Sequence, residues 1–260
     1  MFIEKVRIIF KKSFKRRSFF YRFFRNIYYK FKILLDFIIF KYKYKNCLWY
    51  YKFEKDKESY SQYGQDRFLL SLQCDGKTYV EIGANHPIRL NNTFLLEKNG
   101  WKGISIDALK KYSEDWKKYR SQKFINCAIG NANESKEYIE FYGNELWYDM
   151  MSGFKDYIRE EDINSLNFKK YIVDVKPLCD VIDFETFDML LIDAEGAEKK
   201  ILEGANLEKY RPKYIMLENA KKIGGDDELR KYMKSLGYEI KARIGCTDEI
   251  YELLPESMKV

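Results

Sequence analysis

The chain has a single histidine, His86, and its five cysteines, Cys47, Cys74, Cys127, Cys179 and Cys246, include no C-x-x-C pair. Zinc and non-haem iron sites draw on clustered His and Cys ligands, so this composition provides for neither. The cysteines are odd in number and scattered, which argues against a disulfide framework and for a reducing, cytoplasmic compartment. Long apolar runs are missing too. The best stretch, 33–40, is interrupted by Asp36 and falls far short of the ~20 apolar residues that span a bilayer. Basic residues punctuate the front end and no small-residue cleavage site follows it, so a secretory signal does not fit. No internal repeat or long low-complexity linker is found.

What the sequence has in excess is positive charge at one end. Residues 1–52 carry 15 Lys and Arg against only Glu4 and Asp36, a net of +13; with +7 for the whole chain, the remainder carries −6. The two parts therefore read as different objects: a basic, aromatic, helical extension over 1–57 and a folded domain over 58–260. In the extension, Phe20, Phe23, Ile27, Phe31, Leu34 and Ile38 recur at helical spacing, with Arg16, Arg17, Arg22, Arg25 and Lys32 between them. Such a helix suits the headgroup region of an anionic leaflet, at the inner face of the membrane. It also suits packing on the domain with solvated lysines, or single-stranded RNA, where cations and stacking rings work together.

Beyond residue 60, short apolar runs alternate with helical stretches. Strands are expected at 78–82, 103–106, 123–127, 187–192 and 214–217, and helices at 65–73, 91–98, 111–119, 197–202 and 226–236. This alternation implies a mostly parallel α/β sheet with helices on both faces, closed by a β-ribbon at 238–242 and 250–254. Residues 131–176 read as an insertion, with a strand near 138–142 and a polar, aromatic loop that is expected to shape a ligand pocket.

In open sheets of this kind the ligand lies beyond the carboxyl ends of the strands. Acids stand there: Glu81 at the end of the first strand, Asp107 after the second, Asp193 after the fourth and Glu218 after the fifth. The turn after the first strand, "TYVEIGANH" at 78–86, has Gly83, Asn85 and Ile88 where a dinucleotide fingerprint needs three glycines, so a pyrophosphate is not provided for. One glycine still lets a nucleoside and its amino-acid part pass close to the main chain. Asp107, 24 residues after Gly83, is placed to accept hydrogen bonds from ribose hydroxyls.

The blocks "YSQYGQD" (60–66), "YVEIGANH" (79–86), "NNTFLLEKNGWKGISID" (91–107), "NCAIG" (126–130), "LLIDAEGAEKKILEGA" (190–205) and "YIMLEN" (214–219) resemble, in order, those of FkbM-type methyltransferases. The resemblance spans about 60–254 and departs at His86-Pro87. It implies a class I methyltransferase (Rossmann-like) fold, S-adenosyl-L-methionine as cofactor, and O-methylation of a sugar hydroxyl in a glycan or glycoconjugate, as in surface-polysaccharide biosynthesis. It further implies that Glu81, Gly83 and Asn85 line the methionine part of the cofactor, Asp107 the ribose, and Asn126 to Ala128 the adenine.

Transfer to a hydroxyl requires alignment and removal of the hydroxyl proton. His86, with an ordinary pKa near 6.5, is the expected base; the bland reading is a loop histidine bonded to backbone. Asp193 and Glu195 either take that proton or bind the cofactor's ammonium, or stabilise a helix start. Glu218 is expected to bind a sugar hydroxyl. These carboxylates can also hold Mg²⁺, although no metal is assigned. Trp147 and Tyr148 are candidates for stacking on a sugar ring, while Trp101 fits a core role better. Two other functions use the same features: an RNA methyltransferase with residues 1–52 as a phosphate-binding arm, and a non-catalytic, membrane-associated scaffold.

Overall fold

The computed structural model describes residues 27–28, 30–31, 34–35, 38–142, 149–164, 166–219 and 225–255. Most of the basic front end, together with Trp147 and Tyr148, lies outside the described residues. The described part is a mixed α/β fold. Its main sheet has eight strands: β1 (Leu48–Tyr50), β2 (Thr78–Ile82), β3 (Lys102–Asp107), β4 (Lys123–Asn126), β9 (Met189–Ile192), β10 (Tyr214–Glu218), β11 (Tyr238–Ile244) and β12 (Asp248–Leu253). They lie side by side as β1-β11-β12-β10-β9-β2-β3-β4. Only β12 runs against its neighbours, pairing antiparallel with both β10 and β11.

The central strands are short and apolar because both of their faces are covered. In β9, Leu190 and Ile192 enter one core while Met189 and Leu191 enter the other, the two-residue alternation of a doubly covered strand. Two helices, α1 (Gln65–Ser71) and α2 (Phe94–Lys98), supply Phe68, Leu69 and Leu96 to the second core. Opposite them, α4 (Glu198–Gly204) and α5 (Asp227–Ser235) supply Ile201, Leu202, Leu229 and Met233 to the first. Between β3 and β4 lies α3 (Ser113–Tyr119), whose Trp116 is 1% exposed.

Two elements differ from the sequence reading. The stretch 131–176 holds three strands rather than one strand with a loop: β6 (Glu134–Phe141), β7 (Gly153–Phe154) and β8 (Phe168–Lys176) join β5 (Ala128–Ile129) in a four-stranded layer, β5-β8-β6-β7. Its Tyr138, Phe154, Val173 and Val175 share the core of Val80, Ile82, Ile104 and Ile106, so this layer covers the main sheet where a helix was not available. The other is β1, which adds parallel to β11 at the sheet edge. Just before it, Phe40 is 4% exposed, with the Arg230 and Arg243 guanidinium groups 5.3 Å and 4.9 Å from its ring centre. No helix among the described residues is long and apolar enough to cross a membrane.

Candidate active site

The parallel strands end on one edge, and the loops that follow them enclose a cleft of about 1150 Å³, open solvent at its mouth included. Glu81, Gly83, Asn85, Asp107, Ala128, Asp193 and Glu218 all line it. Residues from the ends of five strands or the turns after them thus meet in one place, as expected for an open α/β sheet.

The first wall is a loop held by side chains. Gly83 has φ +82°, and a Cβ there would sit 1.7 Å from the Asp193 carbonyl oxygen. Its glycine is therefore needed by the packing of two strand-end loops, not only by a ligand. Asn85 also has positive φ; its backbone N–H donates to Asp107 Oδ2 at 2.7 Å, and its carbonyl accepts from Trp116 Nε1 at 2.8 Å. Asp107 Oδ1 accepts from the Leu109 N–H at 2.6 Å. A carboxylate offers about four acceptor positions, so Asp107 can serve the loop and a ligand together.

Glu81 is 4% exposed and accepts from Thr93 Oγ1 at 2.7 Å and Ser105 Oγ at 2.8 Å. Burial pushes its carboxyl up, opposed by nearby Arg120. Arg120 also donates to Tyr79 Oη, Thr93 Oγ1 and the Pro87 carbonyl, tying the strand end to the loop. The primary task visible for Glu81 is to anchor this network.

Asp193, Glu195 and Glu218 form the opposite wall. One carboxylate oxygen from each lies within 4.8 Å of the others. Burial raises all three, reinforced by neighbouring acids: Asp193, repelled by Glu195, and Glu218, repelled by Asp193, lie well above the usual carboxylate range, and Glu195, beside Glu198, is lifted to about 8. Glu195 sits at φ +51°, in a turn whose Ala194 and Gly196 N–H groups donate to Glu198 Oε1 at 3.1 Å and 3.0 Å. Asp248 of β12, 6% exposed, adds a fourth acid to the cleft; it accepts from Gln65 Nε2, and burial lifts it to about 6. Four clustered carboxylates cannot all be ionised cheaply, so the site favours protons or a cationic ligand.

Two expected site residues are not among those that line the cleft. His86 is not part of the cleft lining; its Nδ1 accepts the Ile88 and Arg89 N–H groups at 3.1 Å and 3.0 Å, and its ring meets Tyr112 edge-on at 5.2 Å. Asn126 also lies outside the lining and donates from Nδ2 to the Asp107 carbonyl at 2.8 Å. Wall residues that were not foreseen include Gln65, Asp248 and Tyr138 of the second sheet. A strand beginning at 248 rather than 250 would have placed Asp248 among the strand-end acids. Trp101 is a core residue, 3% exposed.

The family model for the methyltransferase FkbM domain matches residues 81–240, more than half of the chain. The protein belongs to that family, and this membership makes it an S-adenosylmethionine-dependent methyltransferase. Comparison with curated proteins and with solved structures returned no match.

Proposed function

We propose that the protein is an O-methyltransferase of class I, Rossmann-like fold that methylates a sugar hydroxyl of a glycan or glycoconjugate in surface-polysaccharide biosynthesis. The observation that carries this reading is the Asp193–Glu195–Glu218 trio at the cleft wall. The strand order of the main sheet supports the fold assignment. The catalytic unit is residues 58–260, and residues 1–57 are an extension joined to it through Phe40 and β1.

The residues fit S-adenosyl-L-methionine. Asp107 would accept from the ribose hydroxyls, while Leu109 and Ala128 would offer apolar surface to the adenine. Gly83 and Asn85 would carry the loop along the methionine part, with Glu81 anchoring that loop through Thr93 and Ser105. The acidic wall suits the cofactor's ammonium and sulfonium charges. When bound, the cofactor supplies an electrophilic methyl group.

The chain's own part is to align the acceptor oxygen and take its proton. Asp193 serves as the base, because it lines the cleft at the end of β9, with a carboxylate oxygen within 4.8 Å of those of Glu195 and Glu218. Glu218 accepts a hydrogen bond from the sugar and orients it. His86 holds the loop turn, with Nδ1 already engaged by two backbone donors. The acids of the cleft disfavour the polyanionic backbone of RNA, which leaves a neutral, hydroxyl-rich acceptor as the better match. The enzyme works in the cytoplasm, peripherally at the inner face of the membrane.

Calorimetric titration of the purified chain with S-adenosyl-L-methionine tests this reading. Stoichiometric binding is expected. A well-folded protein that gives no binding would overturn it.

A further inference from the structure

The surface opposite Phe40 gives the membrane address of the proposed function a specific form, and its role as a docking face rests on that address. The described residues from 27 to 43 are all helical. At about 100° per residue, Ile27, Phe31, Leu34, Ile38 and Tyr42 fall within an arc of roughly 80°. All five are exposed: 49%, 57%, 54%, 56% and 80%. Phe40 points the other way, into the domain. Phe40 is therefore used in folding, while the five described residues on the other side of the wheel present apolar and aromatic side chains to solvent. Isolated exposed apolar residues are ordinary, but a contiguous row marks an interaction surface.

Charge identifies the occupant. Lys30 and Lys41 border the row along one side of the same wheel, and the segment 1–52 carries a net +13. An apolar stripe bordered by lysines complements an anionic bilayer surface, where the rings enter the acyl boundary and the cations meet the headgroups. A second protein partner would have to bring a matching acidic groove; a bilayer supplies both features.

The mounting is firm. Beyond the Phe40 contacts, Lys43 Nζ lies 2.6 Å from Asp227 Oδ2, and Arg230 is bonded to fully buried Glu249. Asp227 opens α5, and Asn219, next to the cleft residue Glu218, donates to Glu249 Oε2 at 3.0 Å. The helix is thus mounted on the strand-end edge that also carries the cleft. We infer that the face formed by Ile27, Phe31, Leu34, Ile38 and Tyr42 is a docking surface for an anionic lipid bilayer.

The test is co-sedimentation of the full chain with vesicles of phosphatidylglycerol and phosphatidylcholine, against phosphatidylcholine alone. Wild type should sediment with the anionic vesicles, release at high salt, and leave the neutral ones unbound. The variant Phe31→Ser/Leu34→Ser/Ile38→Ser should bind anionic vesicles at least tenfold more weakly. Because these side chains are exposed and none of them lines the cleft, its calorimetric affinity for S-adenosyl-L-methionine should be unchanged, which separates this surface from the enzyme reading. Vesicle binding by the triple variant equal to wild type, or no binding by wild type, would overturn the inference. So would wild type binding single-stranded RNA while ignoring anionic vesicles.

Discussion

The Asn85 backbone N–H donates to Asp107 Oδ2 at 2.7 Å, joining the loop after the first central strand to the acid at the end of the second. One carboxylate thereby shapes the cleft that it also lines. Asp107→Ala should weaken cofactor binding by roughly 1.5–3 kcal/mol, the worth of hydrogen bonds to a charged group. Calorimetry on the folded variant checks this, and an unchanged dissociation constant would remove Asp107 from the cofactor site.

Gly83 makes a different prediction. Its φ is positive, and any Cβ at this position would lie 1.7 Å from the Asp193 carbonyl oxygen. Gly83→Val should therefore disrupt folding before it touches a ligand. A loss of at least about 2 kcal/mol is expected from backbone strain and collision together. Denaturant unfolding measures it; a variant of wild-type stability would contradict this packing.

The acidic wall makes stability depend on pH. Glu195 is held at about 8 in the fold, against an ordinary 4.5. A carboxyl raised on folding contributes stability that is full below its unfolded pKa and is lost as pH rises through the folded value. The ligand-free protein should therefore lose stability between about pH 4.5 and pH 8, and Glu195→Gln should flatten that decline. Thermal melts across this range would show it; parallel curves for wild type and variant would speak against the cluster.

His86 and Asp193 separate by kinetics. Asp193→Asn should cut turnover about 10²–10⁴-fold, as expected for loss of positioned proton transfer. His86→Ala should cost less than about threefold in turnover and about 1 kcal/mol in stability, through its two backbone bonds. The reverse ranking in a methyl-transfer assay would restore the histidine as base.

The central strands were legible because doubly covered strands are continuous apolar runs, and their terminal acids stand out against them. Thr78–Ile82 is expected at its observed bounds, and the strands ending at Asp107 and Glu218 to within a residue or two. The second sheet was legible only in part, as the strand expected near 138–142 that overlaps β6. In β8, Val173 and Val175 are buried while Lys170, Ile172 and Lys176 face solvent, an alternation weakened by the exposed isoleucine. β1 has only three residues, too few for any period. His86 reads as catalytic in the sequence because it is the lone histidine beside the cofactor loop; the direction of a loop side chain is set by backbone turns that spacing does not reveal.

Methyl transfer to a sugar oxygen is tested most directly by incubating the purified protein with methyl-labelled S-adenosyl-L-methionine and a membrane glycan fraction, then treating the products with alkali. An ether on a sugar survives alkali. Alkali-stable label in the glycan fraction is therefore expected from wild type, and Asp193→Asn should fail to deposit it. Label confined to RNA, alkali-labile label typical of a carboxyl ester, or equal label from the Asp193→Asn variant would contradict sugar O-methylation with Asp193 as base.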